Sequence, residues 1–129
     1  MEDLKGYFEN TKGMGVMSTA DKKGRVNAAI YSRPHLMEDG SIAFIMRDRL
    51  THHNLLSNPF AAYLFREEGP GYKGKRLYLT KIREEENSAL IESLSRRGYK
   101  DEKPGSRFLV AFQVDNILPL IGAGDEKEA

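Results

Sequence analysis

Apolar positions recur along this chain with two periods, and the changes of period mark its elements. Leu4, Tyr7 and Phe8 follow Asp3 at helical spacing, which predicts a short amphipathic helix ending in the glycine-containing stretch 11–15. From there the period is two. Residues 15–20 and 26–32 read as strands joined by the turn Asp21-Lys22-Lys23-Gly24, and 41–46 follows a second turn at Glu38-Asp39-Gly40. Leu50, His53/Asn54 and Leu56 then lie about one helical turn apart, and Pro59 forbids continuation, so a helix of about two turns is expected. Residues 60–66 and 75–82 are strand-like around a loop with three glycines and Pro70. Asn87-Ser88 can cap a helix whose stripe is Leu90, Ile91 and Leu94, with Gly98 as its stop. Phe108, Val110, Phe112 and Val114 alternate in a last long strand over 107–121, bent near Pro119, before a polar, frayed tail at 124–129. Six antiparallel strands and three short helices predict a small β-barrel in one domain spanning 1–129, because closure hides sheet edges.

Composition narrows the chemistry. With no cysteine among 129 residues, disulfides, thiolate zinc sites, iron–sulfur clusters and cysteine nucleophiles are excluded. An all-histidine metal site would need His35, His52 and His53 together. Twenty Lys and Arg against 19 Asp and Glu leave a net charge of +1, which gives no global field to attract nucleic acid. No apolar run approaches the roughly 20 residues of a membrane span, and MEDLKGYFEN lacks a signal peptide's apolar core. A cytoplasmic protein with no membrane partner is the expectation.

The loop Gly69-Pro70-Gly71-Tyr72-Lys73-Gly74-Lys75 fits both GxGxxG and the start of a P-loop, GxxxxGK. Each motif must open a helix, yet Arg76-Leu77-Tyr78-Leu79-Thr80 reads as a strand, so a connection between strands is the better reading. A stronger anion candidate is Arg47-Asp48-Arg49-Leu50-Thr51, where a strand ends and a helix begins. Unpaired N–H groups, the helix dipole, the Thr51 hydroxyl, two guanidiniums and Asn54 on the same side suit a phosphate dianion. Thr51 or Asp48 could equally cap the helix with both arginines solvated, and on residue types alone the two readings stand level. Adjacent His52 and His53 point about 100° apart and read as surface helix residues. No Ser/His/Asp grouping can be assembled, and Glu84-Glu85-Glu86 reads as a solvated approach to the capped helix. Lys73, Lys75, Arg76, Lys81 and Arg83 with Tyr72 and Tyr78 interleaved raise a rival, a barrel for single-stranded nucleic acid, against which overall neutrality argues.

Taken in order, Val26-Asn27-Ala28-Ala29-Ile30-Tyr31, Glu38-Asp39-Gly40, Ile42-Ala43-Phe44-Ile45-Met46, Arg49-Leu50-Thr51-His52-His53-Asn54-Leu55 and Asn58-Pro59 before Ala62-Tyr63-Leu64-Phe65 resemble the FMN-binding split-barrel family. That family includes pyridoxamine 5′-phosphate oxidases and small bacterial FMN-binding proteins, and the loop Gly69-Pro70-Gly71 resembles one in the latter. The resemblance covers nearly the whole chain. It implies a mainly β, six-stranded antiparallel split β-barrel of Greek-key type that forms a homodimer, with FMN between subunits. It implies a phosphate site at Arg49, Leu50, Thr51 and Asn54 with Arg33 and Arg47 as charge partners. Ala29, Ile30, Tyr31 and Ser32, with Ile45 and Met46, would lie along the flavin ring, and Gly71, Tyr72 and Lys73 would come from the other subunit. Many members carry a lysine where this chain has Thr51, so arginines balance the phosphate here. Pyridoxamine phosphate oxidases are longer and end with a tryptophan and paired basic residues; this chain has no Trp and ends in Gly124-Asp125-Glu126-Lys127-Glu128-Ala129. An FMN flavoprotein in electron or hydride transfer other than that oxidase is therefore expected, with no catalytic side chain and an unidentified redox partner or substrate. A non-catalytic flavin carrier or sensor is the alternative, and relatives using a deazaflavin or haem share the barrel.

Overall fold

The computed structural model describes residues 3–94 and 105–122; the expected stop at Gly98 and the tail at 124–129 lie outside them. One antiparallel sheet holds seven strands rather than six. They are β1 (Gly13–Ala20), β2 (Val26–Ile30), β3 (His35–Leu36), β4 (Ile42–Arg47), β5 (Phe60–Glu67), β6 (Gly74–Glu86) and β7 (Arg107–Pro119), in the order β2-β1-β5-β6-β7-β4-β3. The additional strand is β3, which pairs His35 with Ala43 and Leu36 with Ile42 and is too short to show a period. Helices α1 (Leu4–Asn10), α2 (Leu50–Ser57) and α3 (Ala89–Leu94) complete the described fold.

Alternation along the strands sends Met17, Ile42, Phe44, Met46, Tyr63, Phe65, Leu77, Leu79, Val110 and Phe112 to one buried core. Phe44 on β4 meets Tyr63 on β5 with ring centres 4.8 Å apart, although β6 and β7 separate those strands within the sheet, so the sheet rolls onto itself. Register shifts between β6 and β7 at Tyr78/Leu79 and Lys81/Arg83 supply the bend, whereas β7 itself ends at Pro119 instead of bending there. Closure is incomplete. The edges are β2, paired only with β1, and the two-residue β3, so the barrel is split between them.

Helix α1 fills one end of the barrel. Asp3 caps it by accepting from the Gly6 N–H at 3.0 Å, Leu4 and Phe8 are buried, and Phe8 packs edge-on against Phe65 with centroids 5.2 Å apart. Helix α3 lies on the outer face, where Ile91, Leu90 and Leu94 pack with Ala43, Ile45, Leu109 and Ala111. Ser88 Oγ accepts from the Ile91 N–H at 3.4 Å, while Asn87 takes a left-handed φ of 48° and leads into the helix rather than capping it.

The β3–β4 turn carries an acid-sensitive clasp. Asp39 accepts from the Ser41 hydroxyl at 2.6 Å, the Ser41 N–H at 2.9 Å and Arg83 Nη1 at 3.0 Å. The Ser41 bonds foremost, with Arg83 behind them, hold its carboxyl at about 2 against an ordinary 3.8. A carboxyl depressed by folding stabilises the native state above its unfolded value, and that stabilisation disappears as pH falls from 3.8 through about 2. Urea midpoints measured across this window should fall in the parent chain and fall less in Asp39→Asn; superimposable profiles would remove Asp39 from the acid response.

Candidate functional site

Helix α2 closes the other end of the barrel, and its two ends are built differently. Its last turn is closed by the Asn58 N–H donating to the Asn54 carbonyl at 2.9 Å, and Pro59 prevents continuation. At the front, Arg49 is the N-cap residue with no side-chain cap, and no acidic residue occupies the first turn. Neither Thr51 nor Asp48 caps it, because Asp48 Oδ1 is bonded to His52 Nδ1 at 3.0 Å. The capping reading of residues 47–51 therefore fails, and the positive end of α2 has no side-chain acceptor of its own.

The helix turns its polar residues inward. Thr51, His52, Asn54 and Leu55 are buried, while Leu50 and Leu56 are 54% and 60% exposed. The expected stripe of Leu50, His53/Asn54 and Leu56 thus points largely outward, and His52, read as a surface residue, is 3% exposed; His53 is exposed as expected. Inward polar groups are tolerated because each finds a partner. Asn54 Nδ2 donates to Thr19 Oγ1 on β1 at 3.1 Å, and Asn27 Nδ2 on β2 donates to Thr51 Oγ1 at 3.3 Å. Tyr31, just beyond β2, lies beside Thr51 and Arg49. Burial pushes the Tyr31 phenol up, with the Thr51 hydroxyl and the Arg49 charge acting the other way.

A compact group results: Arg49, Thr51 and the first turn of α2, faced by Asn27 and Tyr31. Asn27 is the member the sequence reading missed. Its signal was period two, since Asn27, Ala29 and Tyr31 share the inner side of the hairpin while Ile30 and Ser32 fall on the other. Ile30 is 67% exposed on the outer face.

Other predicted positions are engaged elsewhere. Arg33 Nη1 donates to the carbonyls of Phe8 at 2.8 Å and Thr11 at 3.1 Å, securing the end of α1, and Arg47 Nη1 donates to the Gly105 carbonyl at 3.0 Å. Met46 is buried in the core and Ile45 packs in the cluster under α3, so these neighbours face opposite sides of β4. Asn54 is an anchor between α2 and β1. Gly71, Tyr72 and Lys73 sit on the exposed β5–β6 loop, where Arg66 lies over the Tyr72 ring at 5.4 Å. That loop adjoins Gly13, which pairs with Glu67, whereas α2 meets β1 at Thr19, six residues or about 20 Å along the strand. Within one chain, the loop and the α2 terminus are therefore apart.

The proposed nucleic-acid residues are largely committed internally. Lys75 lies over the Tyr7 ring, Arg76 binds the Pro119 and Gly122 carbonyls, Lys81 pairs with Glu84 and Arg83 with Asp39. An open cleft of about 780 Å³ lies between the β1–β2 turn and α2, lined by Lys22, Lys23, Arg25, His53 and Leu56. Another, of about 400 Å³, lies on the outer sheet face among Val26, Phe60, Ala62 and Tyr78. Among the described residues, no helix is long and apolar enough to cross a membrane.

No protein-family model matches the chain, and no curated protein matches it by sequence. Solved structures do. An FMN-binding protein from Syntrophomonas wolfei subsp. wolfei aligns at 18% identity over 92% of this chain and 84% of its own, with a TM-score of 0.67. HupZ of Group A Streptococcus aligns at 19% identity over 98% of both chains, with a TM-score of 0.67. HutZ, a haem storage protein from Vibrio cholerae, aligns at 15% identity over 91% of this chain and 92% of its own, again at 0.67. At such identities the likeness establishes architecture, and this chain shares the split-barrel fold of these structures.

Proposed function

We propose that this protein binds FMN non-covalently as a homodimer and serves as an oxidoreductase or electron-transfer protein. The observation that carries the reading is the uncapped start of α2, with Arg49 and Thr51 beside Tyr31, on a split barrel. A phosphate dianion needs N–H donors, a hydroxyl and a guanidinium, and these residues supply each. Arg49, Thr51 and the first-turn backbone would hold the phosphate, while the inner side of β2 at Ala29 and Tyr31 would adjoin the ring. When bound, FMN supplies the electron and hydride chemistry; the chain's part is to retain it, exclude water and place positive charge beside it.

Homodimerisation is supported by the outer sheet face. Val16 pairs with both Ile30 and Leu64, and Ala62 pairs with Tyr78, so Ile30, Val16, Leu64, Ala62 and Tyr78 form one apolar surface with Val26 and Phe60 beside it. A patch of this kind marks an interface. A second copy on it offers a route for Gly71, Tyr72 and Lys73 to reach a groove that their own chain's α2 cannot share with them.

The purified protein should show flavin bands near about 375 and about 450 nm and release FMN on denaturation. Arg49→Ala and Thr51→Val should each weaken FMN retention by ~10- to 100-fold in fluorescence titrations, the loss of one charge-assisted bond. Unchanged affinity in both would overturn the phosphate assignment. A haem or deazaflavin chromophore in the released fraction would replace FMN as the ligand. Tight FMN binding without reduction by NADH or NADPH would favour a flavin carrier or sensor.

A further inference from the structure

The cleft of about 780 Å³ between the β1–β2 turn and α2 concentrates positive charge that the fold leaves unanswered. Lys22, Lys23 and Arg25 line one wall, and His53, Leu56 and Ser57 line the other. Asp21 is the single carboxylate among the lining residues. Its Oδ1 accepts from the Arg25 and Lys23 N–H groups, each at 2.9 Å, and the Arg25 bond foremost holds the carboxyl below its ordinary range. That oxygen is spent on shaping the turn. Among the described residues, no side chain forms a hydrogen bond or ion pair with the side chains of Lys22, Lys23 or His53, and Arg25 meets only the Asp21 charge. The overall charge of +1 therefore conceals a local excess, three permanent cations against one carboxylate.

The walls of the cleft are held in place. The Asp21 N–H donates to the Arg25 carbonyl at 2.9 Å, the Gly24 N–H donates to the Asp21 carbonyl at 3.0 Å, and Gly24 takes a left-handed φ of 89°. Asn58 Nδ2, just past α2, donates to the Asp21 carbonyl at 3.4 Å and so ties the turn to the end of the helix. Opposite the turn, Leu56 is 60% exposed and gives the cleft an apolar patch beside its cations. An anion joined to an apolar or aromatic body satisfies both. The space exceeds what a bare phosphate fills and lies in the range of small-molecule sites, roughly 300–1,000 Å³. The start of α2 is a separate place: Leu50 and Ser57 are seven residues, about 10 Å, apart along the helix, and Arg49 and Thr51 do not line the cleft.

We propose that this cleft binds a nucleoside phosphate, with Lys22, Lys23 and Arg25 on the phosphate groups and Leu56 and His53 against the base. The inference does not rest on the FMN reading, which concerns the opposite end of α2. Exposed cations hold an anion weakly one at a time. A diphosphate engages several of them at once, so affinity should rise from the mono- to the diphosphate and fall with added salt.

ADP, AMP, adenosine and pyrophosphate, each titrated into ¹⁵N-labelled protein as purified, test the proposal. ADP should shift the amides of residues 21–25 and 53–57 and bind roughly tenfold more tightly than AMP, and adenosine should bind more weakly still. Lys22→Glu combined with Lys23→Glu should weaken ADP by roughly tenfold or more. Lys5→Glu combined with Lys12→Glu makes the same charge change at the other end of the barrel, on exposed residues, and should leave ADP affinity as it was. Shifts outside the cleft, equal losses in the two charge-reversed pairs, or adenosine bound as tightly as ADP would overturn the proposal. Pyrophosphate bound as tightly as ADP would do the same, since Leu56 and the base would then have no part. A single-stranded oligonucleotide bound more tightly than ADP at these residues would replace the nucleotide by nucleic acid. Release of bound FMN by ADP would place both ligands at the start of α2 and overturn the separate site, whereas FMN retained by the Lys22→Glu, Lys23→Glu chain as ADP is lost supports it. A parent chain that binds no FMN would remove the phosphate reading of α2 and leave the ADP titrations to decide the cleft.

Discussion

Gly15→Ala is expected to destabilise the chain by about 3 kcal/mol, a large part of the total for a domain of this size. A Cβ built at Gly15 would overlap the Tyr63 hydroxyl and Cζ and lie 2.6 Å from its Cε1. The Tyr63 ring is fully buried, packed with Phe8, Phe44 and Phe65, and has nowhere to go. Its hydroxyl is 3.0 Å from the Tyr31 carbonyl and 3.1 Å from that of Ser32, the segment that spans the split. Displacing the ring therefore breaks the core and releases the backbone that carries Tyr31 to Thr51. Tyr63→Phe removes only the hydroxyl and should cost about 1 kcal/mol, which separates the tether from the clash. Urea unfolding followed by near-ultraviolet dichroism measures both, and a parent-like midpoint for Gly15→Ala would refute the close approach of β1 to that ring.

The strands were legible wherever one face is buried, because alternation then has a physical cause. Tyr63 and Phe65 on β5, buried beside exposed Leu64 and Arg66, show it well. It fails where both faces are polar, and so Lys81, Arg83, Glu84 and Glu86 conceal the second half of β6, which pairs with β7 beyond the Lys81/Arg83 shift as far as Glu86 and Phe108. Helix α2 was located by the spacing of Leu50, His53/Asn54 and Leu56 and by Pro59, but its orientation was not. Counting leucines points Leu50 and Leu56 inward, whereas what is buried is Thr51, His52 and Asn54, each satisfied by a residue far away in sequence: Asn27, Glu84 and Thr19. Spacing along one segment cannot reveal such partners. The same limit applies to the arginines: Arg33, Arg47 and Arg49 are equivalent as residue types, and only the fold commits the first two to backbone carbonyls and leaves the third at the start of α2.

Phe60→Lys combined with Leu64→Lys should convert the proposed homodimer into a folded monomer. Both side chains are on the outer face of β5, 64% and 39% exposed in the single chain, so replacing them should change the monomer's stability by no more than about 0.5 kcal/mol each. In a symmetric dimer each would be buried twice at about 1.5–3 kcal/mol apiece, and introduced cations would face one another, so the dissociation constant should rise by about three orders of magnitude or more. Sedimentation at micromolar concentration reads the change, and a parent chain already monomeric there would end the dimer proposal. Flavin retention supplies the sharper result. Arg49, Thr51 and Tyr31 are untouched by these substitutions, yet the loop bearing Tyr72 and Lys73 would no longer be delivered by a partner. The monomer should therefore lose FMN even with its phosphate residues intact. A monomeric variant holding FMN as tightly as the parent would place the whole site within one chain and leave the apolar face to another role.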